Sequence, residues 1–259
     1  MRRDTVPRGG GRAGAIHVHS NYSHDGRDSL EHLREFAQTR GITFIGLTDH
    51  AEDLRADEWE AYVRHCAAVS DHAVRLIPGL EFRFAGYSGL HLLALGLSRW
   101  IEPRTPAEFI AQAREAAPFT IVAHPVLADY RVPDVVRAGI DAVEVWNASY
   151  NTRWLPDPRA IRLLHEIRSD RKEVVGTVGL DQHDARNDRE SRVLPVDAED
   201  DPLAALHAGR FVNVGRTMRF TATVPIRGSR LAALSAGRWL FDRLERAQER
   251  LARARRSSA

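Results

Sequence analysis

The sequence has one cysteine, Cys66, one lysine, Lys172, and two methionines in 259 residues. A lone cysteine can neither close an internal disulfide nor build a thiolate-rich metal site. The expectation is a reducing, cytoplasmic setting with Cys66 as a small buried side chain. No run approaches the roughly 18 unbroken apolar residues of a membrane helix, so no membrane partner is expected. An excess of one charge is also missing. Lys and Arg number 37 against 35 Asp and Glu, a formal +2, which is too balanced for long-range capture of nucleic acid. The near-exclusive use of arginine reads as compositional bias. Residues 1–14 carry an arginine pair with no apolar run behind it, so they read as a frayed tail rather than an export signal.

What remains is ordinary globular composition, 43% hydrophobic and 28% charged, in a chain long enough to bury a sizeable core. Apolar runs recur at Ala15 to His19, Thr43 to Thr48, Val74 to Phe82, His91 to Leu97, Thr120 to Ala123, Ala142 to Trp146, Val174 to Leu180 and Phe211 to Val214. Each has the length of a buried strand. Helical stretches lie between them. Thr105-Pro106 with Glu108, Asp157-Pro158 and Asp201-Pro202 are helix starts, and Gly41, Gly139 and Gly209 are helix ends. Glu81 to His91, with Gly86 and Gly89 between, reads as a hairpin. Alternation of buried strands with helices predicts an α/β fold of mainly parallel strands, enough of them to close a TIM-like barrel.

Polar residues gather where these strands end. Ala15-Ile-His-Val-His, Phe44-Ile-Gly-Leu-Thr-Asp-His, Ile77-Pro-Gly-Leu-Glu, Ile121-Val-Ala-His-Pro and Val178-Gly-Leu-Asp-Gln-His each finish in histidine or a carboxylate. In a parallel barrel those ends converge on one mouth. His17 and His19, two apart on a strand, can grip one ion from the same side. Asp25, His50, Glu81, His91, His124, Asp181 and His183 lie at or just beyond the other strand ends, and together they predict a metal centre. Of the 12 histidines, His32, His65, His72, His165 and His207 fall in polar helical stretches and are expected to be solvated. His24 is placed behind the ligands or on the substrate side. Asp49 is expected to accept a hydrogen bond from a ligand imidazole.

The ordered set His17-x-His19, Ser23-x-Asp25-Gly26, Thr48-Asp49-His50, Gly79-Leu-Glu81, His91, Ala123-His124-Pro125, Glu144-Val-Trp-Asn147 and Gly179-x-Asp181-x-His183 resembles the PHP (polymerase and histidinol phosphatase) domain family over roughly residues 15–185. The resemblance implies a distorted (β/α)7 barrel over 15–229 and up to three divalent ions. It assigns His17, His19, Glu81 and Asp181 to one ion, and Glu81, His91 and His124 to a second. Asp25, His50 and His183 go to a third. Leu180 and Gln182 stand where many relatives have small residues. Amidohydrolase barrels open with a similar H-x-H, but many bridge their ions with a carboxylated lysine. Lys172 precedes its strand and points toward the other mouth, which leaves Glu81 as the bridging carboxylate.

Imidazole and carboxylate donors suit zinc, manganese or iron. Three divalent ions with Asp25, Glu81, Asp181 and a bridging hydroxide leave about +2, complementary to a phosphomonoester of roughly −1.5 to −2. The expected activity is therefore metal-dependent phosphoric ester hydrolysis of a small phosphorylated metabolite, such as histidinol phosphate or a nucleotide, with that hydroxide as nucleophile. Glu81, Asp181 and His183 are its expected catalytic residues, and Arg83, Arg153 and Arg186 its expected phosphate-side cations. Nuclease action on DNA or RNA, or hydrolysis of another ester, is the alternative. Residues 230–259 read as an amphipathic helix with an Arg-rich end. Its stripe of Leu240, Leu244, Ala247 and Leu251, flanked by Arg243, Arg246, Arg250 and Arg253, is expected to pack on the barrel, with a dimer contact or a basic surface for nucleic acid as the alternatives.

Overall fold

The computed structural model describes residues 12–151, 154–197, 201–223 and 226–257; the side chains of 245 and 248–257 lie outside that description. The chain runs β1 (Gly14–Val18), α1 (Leu30–Thr39), β2 (Phe44–Leu47), β3 (Asp49–His50), α2 (Trp59–Val69), β4 (Arg75–Ile77), β5 (Gly79–Arg83), β6 (His91–Leu95) and α3 (Pro106–Ala116). It continues through β7 (Phe119–Ala123), α4 (Asp134–Arg137), β8 (Ala142–Asn147), α5 (Pro158–Asp170), β9 (Val175–Gly179), β10 (Arg192–Pro195), α6 (Pro202–His207), β11 (Phe211–Val214), β12 (Arg219–Thr221) and α7 (Gly228–Ser257). The expected tail falls mostly outside the described residues, and Gly14 already opens β1.

The helix starts form as their sequences predict. Thr105 accepts from the Glu108 amide, Asp157 from that of Arg159, and Asp201 from those of Leu203 and Ala204. These acceptors satisfy amides that the first helical turn leaves unpaired. The expected hairpin is present as antiparallel β5 and β6, with Arg83 opposite His91.

The strands form two six-stranded sheets, ordered β12-β11-β10-β1-β2-β4 and β3-β5-β6-β7-β8-β9. This corrects two sequence readings. The run 43–48 is not one strand with its terminal polar residues: β2 ends at Leu47, and Asp49–His50 pair with β5 in the other sheet. The run 74–82 likewise splits at Pro78, whose missing N–H cannot continue a ladder, so β4 and β5 belong to different sheets. A third strand, β10, was missed; Arg192 and Leu194 are only half-buried, so the segment lacks the continuous apolar run of the others. The sheets meet where the Leu180 amide donates to the Ile16 carbonyl, that of Gln182 to His17, and that of His19 to Gln182.

Pleat alternation sorts the apolar residues into two cores. Leu93 and Leu95 of β6 join Phe119 and Ile121 of β7 with Ile16, Phe44 and Phe211 of the first sheet in one cluster, contributed by both sheets. Leu92, Ala94 and Val122 face the opposite way, into the larger cluster shared with the helices. Cys66 lies in that larger cluster, and burial, with the Asp49 charge adding to it, pushes its thiol pKa up to about 12.

Candidate metal centre

Eight of the nine predicted ligands gather in two adjoining groups with their donor atoms close together. His17 Nε2 and His19 Nε2 each stand 3.3 Å from Asp181 Oδ1. Glu81 Oε2 lies 3.4 Å from His19 Nε2 and 3.3 Å from His50 Nδ1, and Glu81 Oε1 lies 3.3 Å from His124 Nε2. Asp25 approaches His50 at 3.3 Å and His183 at 3.2 Å. The groups divide into an inner set, His17, Glu81, His124 and Asp181, all buried, and an outer set, His19, Asp25, His50 and His183, partly open to solvent. Contacts also run within the groups that the resemblance assigns: His17 and His19 both reach Asp181 Oδ1, His91 and His124 both reach Glu81 Oε1, and Glu81 touches both sets. His91 stands apart from both sets, its Nδ1 2.7 Å from Glu81 Oε1 at the rim.

These spacings fit a metal better than hydrogen bonds. Two donors 2.0–2.2 Å from one tetrahedral ion stand roughly 3.3–3.6 Å apart. Apart from the His91–Glu81 pair, the inter-ligand contacts quoted above fall at 3.2–3.4 Å. True hydrogen bonds nearby are shorter, such as His17 Nδ1 to Glu144 Oε1 at 2.7 Å. His17 Nε2 and His19 Nε2 are also buried without any hydrogen-bond partner. Buried polar atoms are normally paired, so two bare imidazole nitrogens aimed at carboxylates mark a place for a cation.

The backbone is bent to achieve this. His17, His124 and Asp181 have φ of 63°, 23° and 49°, in or beside the left-handed region that non-glycine residues rarely adopt. Each costs on the order of 1–3 kcal/mol, and such residues cluster at functional sites. At His17 the strand register shifts between Ile16 and Val18, so the two imidazoles of H-x-H meet through a bulge rather than through simple alternation.

At His17 and His19 burial is the largest influence and opposes protonation. At His17 the charges of Glu144 and Asp181 overcome it and hold the pKa well above the ordinary value; at His19 burial prevails and the pKa falls. Burial would raise Glu81, yet the neighbouring imidazoles of His124, His17, His50 and His91 hold it well below the usual carboxylate range. His17 and His19 hold Asp181 low in the same way, again against burial.

Behind the ligands stand residues whose roles were not legible in the sequence. Glu144 accepts from His17 Nδ1, from the His124 amide at 2.7 Å and from Asn147 Nδ2 at 2.9 Å, so one buried carboxylate orients two ligands. Gly179 makes room for it: a Cβ there would fall 1.7 Å from Glu144 Oε1. Asp49 does not accept from an imidazole. It accepts from the Ser20 amide and hydroxyl, the Ser23 hydroxyl and the Tyr62 hydroxyl, at 2.7–2.9 Å.

At the rim, Arg83 Nη2 lies 3.1 Å from His50 Nε2. Arg186 is engaged by both oxygens of Asp184, and Arg153 lies outside the described residues. His24 pairs with Asp53 at 2.7 Å, on the exposed side of Asp25. Of the histidines expected to be solvated, His65 bonds Tyr22 and Glu31, and His165 is half-buried with Nε2 unpaired. A cleft of about 340 Å³ opens beside the outer set, lined by Asp25, Arg27, Ser149, Asp181, Gln182, His183, Asn187 and Arg189.

Adjoining groups of histidines and carboxylates in an α/β fold, joined through Glu81, define the class: a protein whose side chains fit metal binding. The model of the PHP domain matches residues 15–193, and the chain belongs to that family, whose members are generally metal-dependent hydrolases. A comparison with curated proteins finds no match.

Proposed function

We propose that the protein is a phosphoesterase acting on a small phosphomonoester with two to three divalent ions of zinc, manganese or iron. The observation that carries this reading is the sharing of Glu81: its oxygens reach ligands of both the inner and the outer set, the arrangement that paired ions require. Bound there, such ions supply Lewis acidity that lowers the pKa of water and offsets charge on phosphoryl oxygens. The chain's own residues do the rest. Glu81 and Asp181, kept ionised, and the imidazoles hold the cluster; Glu144 fixes the aim of His17 and the placement of His124.

Arg83 is the cation that the geometry favours for phosphate, since its guanidinium borders the outer set and a planar fork matches phosphate oxygens. Arg27 and Arg189 line the cleft and suit a polar leaving group. A cleft of about 340 Å³ is at the small end of ligand pockets and favours a metabolite over a polymer. The amide bonds between β1 and the residues after β9 support reading the two sheets as a distorted barrel.

The test is a phosphoesterase panel on chelator-stripped protein resupplied singly with zinc, manganese or iron. Turnover of a phosphomonoester should vanish on stripping and return with metal, and Arg83→Ala should raise KM more than it lowers kcat. Activity confined to carboxylic esters, or to salt-sensitive cleavage of nucleic acid, would refute the reading.

A further inference from the structure

Tyr150 lies in the loop after β8, and its ring stands edge-on to that of His124 in the inner set, with centroids 4.7 Å apart. The residue is 43% exposed, yet its backbone is held in place. The fully buried Asn147 side chain accepts from the Ser149 and Tyr150 amides at 2.9 and 3.1 Å, and its Nδ2 donates to Glu144 at 2.9 Å. Glu144 is the carboxylate that also holds His17 Nδ1 and the His124 amide. On the other side the Ser149 hydroxyl donates toward the Leu180 and Asp181 carbonyls, 3.0 and 3.1 Å away. The loop is thus fastened both to the carboxylate behind the inner set and to the segment that carries Asp181. An exposed aromatic on a loop clamped in this way is placed in advance of any ligand.

Packing on His124 accounts for the ring of Tyr150 but not for its hydroxyl, which makes no hydrogen bond among the described residues. Burial raises its pKa, the charges of Asp181 and Glu81 add to that, and Arg83 opposes it, so the side chain stands in the field of the ligand carboxylates and of the rim cation. An ordinary phenol, with a pKa of about 10, already carries its proton at neutral pH and can donate it to a hydrogen bond.

We propose that Tyr150 is a substrate-binding residue: its hydroxyl donates to an oxygen of the phosphoryl group beside the inner set, while Arg83 serves the side of the outer set. The proposal rests on the phosphoesterase reading and deepens it. A neutral donor orients the phosphoryl group without adding charge to a site whose ions already balance that of a phosphomonoester. The clamp through Asn147 and Glu144 ties the position of this donor to that of the ligands His17 and His124, so donor and metal centre keep one geometry.

The test uses the full chain loaded with Zn²⁺, with inorganic phosphate as the probe and calorimetry as the readout. Tyr150→Phe keeps the ring against His124 and removes only the hydroxyl. It should weaken phosphate binding by roughly 10–100-fold, the range for a hydrogen bond to a charged group. Its Zn²⁺ affinity should stay within twofold of the native value, which also shows that the variant is folded. A Tyr150→Phe variant that binds phosphate within twofold of the native affinity overturns the proposal, leaves the phosphoesterase reading standing and reduces Tyr150 to packing on His124. A loss of Zn²⁺ affinity in Tyr150→Phe as large as the loss of phosphate affinity overturns it too, because the effect then runs through the ligand His124. Native protein that takes up Zn²⁺ but binds no phosphate overturns the phosphoesterase reading together with the proposal.

Discussion

At the scale of single residues, Glu144 is where geometry makes the sharpest demand. Its carboxylate receives three donors, from His17, Asn147 and the His124 amide, inside a fully buried pocket. Glu144→Gln keeps the shape but replaces one acceptor oxygen with an NH₂ group, which must then face a donor. An unsatisfied buried donor costs about 1–3 kcal/mol. The variant should lose that much in urea unfolding of the metal-free protein and weaken metal binding by roughly 10–100-fold in a Zn²⁺ titration. Unchanged values in both measurements would show that Glu144 does not orient the ligands. The contrast with the ligands shows what a sequence exposes. His17, His19, Asp25, His50, Glu81, His124, Asp181 and His183 were legible because ligand side chains of the right type recur at strand ends. Their partition among ions was not, since it depends on which donors of different strands meet: His19 reaches Asp181 Oδ1 as His17 does, and it also groups with Asp25 and His50. Asp49 illustrates the same limit. A carboxylate beside a ligand was visible, but its partners, Ser20, Ser23 and Tyr62, come from a loop and a helix whose approach no local pattern encodes.

At the scale of elements, local chemistry was legible and sheet membership was not. Caps, the β5–β6 hairpin and most strand positions follow from short-range rules. The crossings between sheets at Thr48 and at Pro78 do not, because an apolar run looks the same whether its halves pair with one neighbour or two. The last helix shows the limit most clearly. The stripe Leu240, Leu244, Ala247 and Leu251 was expected to pack on the barrel, yet Leu240 is 53% and Leu244 56% exposed; the side chain of Leu251 lies outside the described residues. α7 docks through an earlier part of its length. Leu234 is buried, Leu231 is partly buried against the same core, and Ser235 accepts a hydrogen bond from Arg162 of α5. A stripe marks an apolar line on a helix but not the turn at which the helix meets its neighbour. Leu234→Ala should therefore cost about 2–5 kcal/mol in denaturant unfolding, as large-to-small changes in cores do. Leu240→Ala and Leu244→Ala should each stay within about 0.5 kcal/mol, as surface changes do. A large loss at Leu240 would restore the original expectation.

At the scale of the whole molecule, the metal centre and the joint between the sheets are the same place. His17 belongs to the first sheet and His19 directly follows its strand β1; Glu81 and His50 belong to the second, with His124 directly after its strand β7 and Asp181 two residues after its strand β9. An ion held by the inner set therefore cross-links two sheets whose direct backbone bonding at this seam includes only a few amides, those of Leu180, Gln182 and His19. Without it the same point keeps His17, His124 and Asp181 in strained backbone and leaves His17 Nε2 and His19 Nε2 buried and unpaired, which opposes closure. Loading must then stabilise the fold as a whole, since a ligand that binds only the folded state adds about 2.7 kcal/mol at 100 times its Kd. For a chain of this size that corresponds to a rise in Tm of roughly 5–10 °C per ion. Calorimetry of stripped protein against rising Zn²⁺ should show one cooperative transition moving upward with concentration. A metal-independent Tm, or a transition that splits so that one sheet melts separately, would show that the ions do not hold the sheets together. Because loading must displace the proton that His17 holds well above the ordinary histidine value, the rise should already shrink as pH falls toward about 6.5.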